Sequence, residues 1–290
     1  MGQVVLQTLP EGPPVCGVTS LVPQTLPEGP PVYGVTSLAD EVFVLRGKGG
    51  SDQVEVYDAI TYRSQRCLTV PNCLRFADVT SCEHYQCIYI SEPDVECIHR
   101  LDSQGKAATQ WPVNDKPFGL SVNTAHNLLV ACRLVSKIKE FSTHGYLLRE
   151  ITLPDDVIKP WHAIQLTSGQ FVVCHGNLGH PVHRVCMVSA DGRQIVHSHG
   201  GQPGSSNDQC NGPMHLTVDE NQFLFVADIN NRRVKLLSPT LRYIRDVSSD
   251  LLKWLPNRLC LDTERSRLYI ADCDLKDGKW TAGRVVVVSV

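Results

Sequence analysis

Short, mostly proline-led apolar stretches return along this chain at a nearly fixed interval. They read Pro31-Val32-Tyr33, Pro117-Phe118-Gly119, Pro160-Trp161-His162, Pro213-Met214-His215 and Pro256-Asn257-Arg258; a sixth, Leu74-Arg75-Phe76, has leucine in the proline's place. Their third residues fall at 33, 76, 119, 162, 215 and 258, so successive intervals are 43, 43, 43, 53 and 43 residues. A period of roughly 40–45 residues with strand-type patterning and little helical periodicity is the signature of a propeller blade of four strands. The fifth period carries the four strands in order: Leu216-Thr217-Val218, Phe223-Leu224-Phe225-Val226-Ala227, Val234-Lys235-Leu236-Leu237 and Tyr243-Ile244-Arg245-Asp246-Val247, separated by turns at Asp219-Glu220-Asn221, Asn230-Asn231 and Ser238-Pro239. The expectation is an all-β, six-bladed β-propeller, with residues 28–290 as the propeller and 1–27 preceding it.

The last period supplies only three strands, around Leu259-Leu261, around Leu268-Ala271 and at Arg284-Val285-Val286-Val287-Val288, before the chain stops. The fourth is expected from the N-terminus. Outer strands elsewhere end in Thr69-Val70-Pro71 and Thr152-Leu153-Pro154, and the N-terminal segment holds Thr8-Leu9-Pro10 and Thr25-Leu26-Pro27. Such a strand joins the two chain ends and leaves no open sheet edge. One feature is surplus to this scheme. Residues 7–21 (QTLPEGPPVCGVTSL) repeat as 24–38 (QTLPEGPPVYGVTSL), differing only at Cys16 against Tyr33, whereas a ring needs one closing strand.

Residues 226–237, VADINNRRVKLL, resemble the NHL-repeat signature: a strand ending in Ala-Asp, an Asn-bearing turn, and an Arg before the next strand. Tyr269-Ile270-Ala271-Asp272 with Gly283-Arg284-Val285-Val286 resembles a second copy with a longer turn. The likeness is strongest in blades five and six and rests on spacing in blades one and two, where Val54-Glu55-Val56-Tyr57-Asp58 is also similar to a Kelch blade. Asp228 with Arg233, and Asp272 with Arg284, flank tight turns and are expected to be structural pairs. NHL propellers often form the C-terminal substrate-binding part of TRIM-type ubiquitin ligases, so the resemblance implies recognition of a protein partner. The Cys/His spacing of a RING or B-box is absent from this sequence, which leads to the expectation of a non-catalytic, monomeric binding platform without cofactor.

Ligands of propellers sit over the central channel. The third residues of the repeats place Tyr33, Phe76, Gly119, His162, His215 and Arg258 around its mouth, with Phe118, Trp161 and Met214 beside them; aromatic and arginine side chains are frequent anchors at protein interfaces. RNA recognition is the alternative reading, through Arg46, Lys48, Arg75, Arg133, Lys137, Arg232 and Arg258, although a formal net charge of −3 argues against a strong phosphate-binding field. A metal-dependent hydrolase or lyase is the third. His175, His180 and His183 in HGNLGHPVH are the metal candidates, but lactonase-type sites need inward carboxylates that the mouth positions do not show. The sequence holds no GxxxxGK[ST], GxSxG or HExxH motif. No apolar run approaches the ~18 residues of a membrane span. The expectation is a cytoplasmic protein that binds neither membrane nor DNA, with its twelve cysteines as free thiols, many of them buried as small hydrophobes.

Overall fold

The computed structural model describes residues 24–47, 53–70, 73, 75–106, 108–176, 179–247 and 250–290. Six four-stranded antiparallel sheets follow one another around a central channel. Their innermost strands are Val32–Leu38, Asp78–Cys82, Pro117–Val122, Pro160–Gln165, Pro213–Val218 and Leu255–Asp262 in blades one to six. In blades one to five the strands run outward in chain order, so each pair is a hairpin; in blade six the outermost strand comes from the N-terminal side.

Burial grades outward along every blade. The second strand of blade three, Leu128–Cys132, is buried at every residue, and its fourth, Leu147–Thr152, is exposed at all but Ile151. That gradient explains why second strands read as unbroken apolar runs while fourth strands carry charges. The core is divided into clusters, each lying between two neighbouring blades. One joins Val35, Val42 and Val44 of blade one to Tyr269, Ala271 and Val287 of blade six. Another joins Ile164, Val172 and Val185 of blade four to Leu216, Val226 and Leu237 of blade five. No blade buries its faces alone, so each depends on both neighbours.

The ring closes in blade six. Gln24–Thr25 pairs antiparallel with the last strand, Lys279–Ser289, in the register Gln24 to Val287 and Thr25 to Val286. Beyond it, Leu26 N–H donates to the Val285 carbonyl at 2.9 Å, and Gly29 and Gly283 exchange two bonds of 3.0 Å. Arg46 of blade one locks the seam, donating to the carbonyls of Pro27, Pro30 and Gly283 at 2.6–2.9 Å. The second copy of the duplicated segment, 24–38, thus supplies both the closing strand and the first inner strand. The first copy, with Cys16, lies outside the described residues.

Candidate active site in the channel

Five of the six inner strands carry a β-bulge near their start: between Val32 and Gly34, Pro117 and Leu120, Pro160 and His162, Pro213 and His215, and Pro256 and Arg258. A bulge re-aims the side chain that follows it. Pairing with one equivalent residue of the second strand, its penultimate residue in blades one, two, four and five and Ala271 in the longer strand of blade six, then defines one ring position: Gly34 opposite Leu45, Asp78 opposite Ser91, His162 opposite Cys174, His215 opposite Ala227 and Arg258 opposite Ala271. Gly119, within the blade-three bulge, completes it. The ring therefore holds Gly34 and Asp78 where the repeat count had placed Tyr33 and Phe76. Blade two lacks both the proline and the bulge, so its ring residue comes two positions later than the fixed interval indicates. Asp78 is the inward carboxylate that the sequence did not reveal.

Asp78, His162, His215 and Arg258 meet across the channel. Asp78 accepts from Leu120 N–H at 2.9 Å, from His215 Nε2 at 3.3 Å and from Arg258 Nε at 3.1 Å. Arg258 also donates to the carbonyls of Ala77 and Asn257 at 2.5 and 2.8 Å. Leu259 N–H donates to His215 Nδ1 at 3.3 Å, which places the His215 proton on Nε2, toward Asp78. His162 donates from Nε2 to the Leu120 carbonyl at 2.9 Å, and its ring lies 3.7 Å from that of His215. Its Nδ1 is buried and has no hydrogen-bond partner among the described residues. Gly119 makes this packing possible: a Cβ there would stand 2.7 Å from the His162 Cα and 2.4 Å from the Trp161 carbonyl oxygen.

The electrostatics follow from burial. Enclosure and the neighbouring His215 push the His162 imidazole down to about 3, against the pull of Asp78. Burial also lowers His215, again opposed by Asp78. For Asp78 burial acts upward, but His215 and Arg258 outweigh it and hold the carboxyl at about 2. At neutral pH the cluster is thus an aspartate–arginine ion pair beside two uncharged imidazoles.

A cavity of about 240 Å³ adjoins this ring. His162 and His215 line one end of it, and its walls run along the inner strands through Thr36, Thr80, Ser121 and Thr217 to Ser81 and Gln165. The chamber therefore extends from the histidines toward the ends of the inner strands, away from the loops that lead into them.

The other residues singled out from the sequence are placed as follows. Phe118 and Trp161 meet edge to face at 5.6 Å, with the Arg133 guanidinium 3.7 Å over the Trp161 ring. Tyr33 lines a separate groove with Arg75, Lys279 and Trp280, and Phe76 is packed in the core between blades one and two. Asp228 accepts from Arg233 Nε at 2.8 Å, and Asp272 from Arg284 Nε at 2.9 Å. The three histidines of blade four do not converge on a common point. His175 Nε2 accepts from Arg184 at 3.0 Å, His180 Nδ1 faces the Val182 backbone, and His183 Nδ1 accepts from Gly212 N–H at 2.9 Å. The basic residues considered for RNA are dispersed: Arg46 is buried against Glu55, Lys137 pairs with Glu150, Arg75 lies 3.8 Å from Asp94, Arg232 sits in a left-handed turn, and Lys48 falls outside the described residues.

Asp78, His162 and His215 offer three donor atoms within 4.8 Å of one another, which raises the question of a metal. The set fits one poorly. A dication there would have to displace the Arg258 guanidinium from Asp78, and both nitrogens of His215 are already committed.

No family model matches the chain, and no curated protein matches it in sequence. Solved structures do. A hydrazine synthase chain from Kuenenia stuttgartiensis aligns over 90% of this chain and 96% of its own, with TM-score 0.63 and 14% identity. A streptogramin B lyase aligns over 93% and 87%, with TM-score 0.61 and 13% identity. A catalytically inactive histidine-to-alanine variant of virginiamycin B lyase from Staphylococcus aureus, with quinupristin, aligns over 90% and 95%, with TM-score 0.61 and 11% identity. The shared feature is the six-bladed propeller. These neighbours correct the expectation of a non-catalytic platform. The propeller alignment covers 87% and 95% of the two lyase chains, so the absence of RING or B-box spacing from this sequence is no argument against catalysis.

Proposed function

We propose that the chain is an enzyme of the lyase type whose reaction takes place in the channel, with His162 as the general base. The carrying observation is the state of that imidazole: Nε2–H anchored on the Leu120 carbonyl, Nδ1 buried without a protein partner, and the ring lining the cavity. An imidazole fixed through one nitrogen keeps the other as a lone pair, the geometry that proton abstraction requires; burial and His215 hold its proton affinity low, so substrate binding has to raise it for the base to act. His215, oriented by Asp78, stands against His162 as a positioning residue. Arg258 keeps Asp78 ionised and the tautomer of His215 fixed. In an elimination, the base takes a proton from carbon and the electron pair of that C–H bond expels the leaving group, so no water is consumed. A chamber of about 240 Å³ accepts one side group of a larger substrate and not the whole molecule.

A depsipeptide is the first probe, because quinupristin accompanies one of the structural neighbours. The expected product is a ring-opened isomer of unchanged mass. His162→Gln is expected to lower kcat/KM by about 10²-fold or more. A product heavier by one water would make the chain a hydrolase with the same base. No turnover of depsipeptides or simple esters by the folded wild type would end the proposal. Because His162 stays unprotonated down to about pH 3, the rate should show no acid limb near the ordinary histidine value of ~6.5.

A second reading, recognition of a protein partner, is favoured by the half-buried Phe118–Trp161–Arg133 stack on the face of the leading loops. Trp161→Ala with Arg133→Ala should abolish capture of such a partner and leave the channel reaction unchanged.

A further inference from the structure

In five blades a lysine or arginine ties the inner part of the sheet to the loop that leads into that blade. Arg46 donates to the carbonyls of Pro27 and Pro30 in blade one. Lys139 donates to Val113 in blade three, Arg184 to Asp156 in blade four, and Arg284 to Leu251 in blade six. In blade five Lys235 donates to Asn207 and Gln209 at 2.7 and 2.6 Å, and Arg233 to Ser206 and Gln209. These cations, Arg46 excepted, come from two places on the third strand. One faces the last residue of the second strand, as Arg233 faces Asp228 and Arg184 faces His175; in the longer hairpin of blade six Arg284 faces the equivalent Asp272. The other lies two residues on, as Lys235 and Lys139 do.

Blade two departs from this plan in residue type, not in geometry. The last residue of its second strand is Glu92, the residue facing it is Cys97, and two residues on comes His99. The leading loop sends in Cys73. Donor atoms of Cys73, Glu92 and His99 lie within 4.8 Å of one another. Cys97 Sγ is 3.3 Å from His99 Nε2 and 3.9 Å from Glu92 Oε2. Zinc bonds of roughly 2.3 Å to sulfur and 2.0–2.2 Å to nitrogen or oxygen place tetrahedral donors roughly 3.3–3.8 Å apart. Cys97 stands outside that group of three, so to admit an ion the 2.7 Å His99–Glu92 hydrogen bond would have to open and the Cys97 thiol swing toward Cys73. Glu92, Cys97 and His99 are buried and Cys73 is half-buried, as suits a closed structural centre.

We propose that Cys73, Glu92, Cys97 and His99 bind a thiophilic divalent cation, zinc by preference, which takes in blade two the place of the lysine or arginine that secures the leading loop in the other five. Two thiolates and an imidazole select zinc over magnesium or calcium. The four ligands leave no open coordination position, so the ion is structural and separate from the channel chemistry.

The test uses the full-length chain, stripped with chelator and titrated with cobalt(II). One equivalent should bind, with thiolate-to-cobalt charge transfer in the near ultraviolet and the intense visible bands of tetrahedral cobalt. Cys73→Ser and Cys97→Ser should each weaken the charge-transfer band by about half or more, while Cys186→Ser in blade four should leave it unchanged. Should the serine variants fail to fold, the double variant Cys97→Arg/His99→Lys restores the side chains of blade five. It should fold, bind no cobalt, and melt at a temperature indifferent to chelator. The proposal is overturned if the wild type binds no cobalt, if the double variant keeps the charge-transfer band, or if the signal is lost in His162→Gln and undiminished in Cys97→Ser. That last result would put the ion in the channel, whereas loss of the lyase reaction alone would leave the blade-two centre untouched.

Discussion

Blades two and five occupy opposite states of one design. In blade five Asp228 holds Arg233 at 2.8 Å, and Arg233 with Lys235 grips the carbonyls of Ser206, Asn207 and Gln209. Every charge in that lock belongs to the chain. Blade two keeps the carboxylate, as Glu92, and exchanges both cations for Cys97 and His99. Where the cation is a side chain of the fold itself, loop and sheet are joined without any ion drawn from solution. Where the cation is borrowed, the join depends on what the solution contains.

The largest effect should come from breaking the internal lock. Asp228→Ala removes the acceptor of Arg233 Nε, Asn231 Nδ2 and the Asn211 N–H and leaves a guanidinium buried. We expect a loss of about 3–5 kcal/mol in urea unfolding, unaltered by zinc or chelator. The borrowed lock is next. With free zinc at 100 times its dissociation constant, wild-type stability should exceed that of the stripped chain by about 2.7 kcal/mol. The difference should vanish in Cys97→Arg/His99→Lys, and calorimetry with and without chelator reads both.

Blade four offers a third version, with His175 where blades two and five have carboxylates. Burial and then Arg184 push this imidazole down to about 3, so the folded chain favours its neutral form. Its stabilising contribution is therefore complete above the unfolded value of ~6.5 and is lost as pH falls toward 3, by about 1.4 kcal/mol per pH unit for each such histidine. His162 behaves alike. The urea midpoint should fall between pH 6.5 and 4, and His175→Gln should make that slope shallower. The smallest effect belongs to the exposed tie between Lys253 and Glu28 at 2.9 Å, which also involves a leading loop. Lys253→Ala should change stability by no more than about 0.5 kcal/mol, since water screens such pairs.

The sequence displayed the blade count because one proline recurs for one steric reason: it opens the inner strand ahead of the bulge, where an N–H is not needed for pairing. The same regularity misled the reading of the channel. Wherever proline and bulge are both present in blades three to six, the repeat's third residue is the ring residue, and His162, His215 and Arg258 are legible. In blade one the ring falls to Gly34, and in blade two, with leucine for proline and continuous pairing from Asp78, the counting slips by two. Asp78 was hidden for that reason: a register is a property of the pairing partner, not of the strand's own residues. The blade-two cluster was hidden differently. Cys73, Glu92, Cys97 and His99 come from a loop and two strands, and without the hairpin register no spacing rule joins them. The closing strand was announced by the Thr-Leu-Pro piece, although the duplication offered two candidates and only pairing with Val286 and Val287 chooses one.

That closing strand carries a consequence for how the chain can be rearranged. Among the described residues, the N-terminal side adds Gln24 and Thr25 as a strand to the sheet of blade six, followed by a bridge at Gly29, and they lie alongside the strand Lys279–Ser289. A ring has no intrinsic beginning. Joining Val290 to Gln24 with a short linker and opening the chain in another leading loop would move the seam to a different blade without altering any inner strand. Permutants of this kind would make each loop lock in turn the one that holds the molecule shut, and the seam opened in front of blade two would be a propeller whose closure is governed by a metal ion.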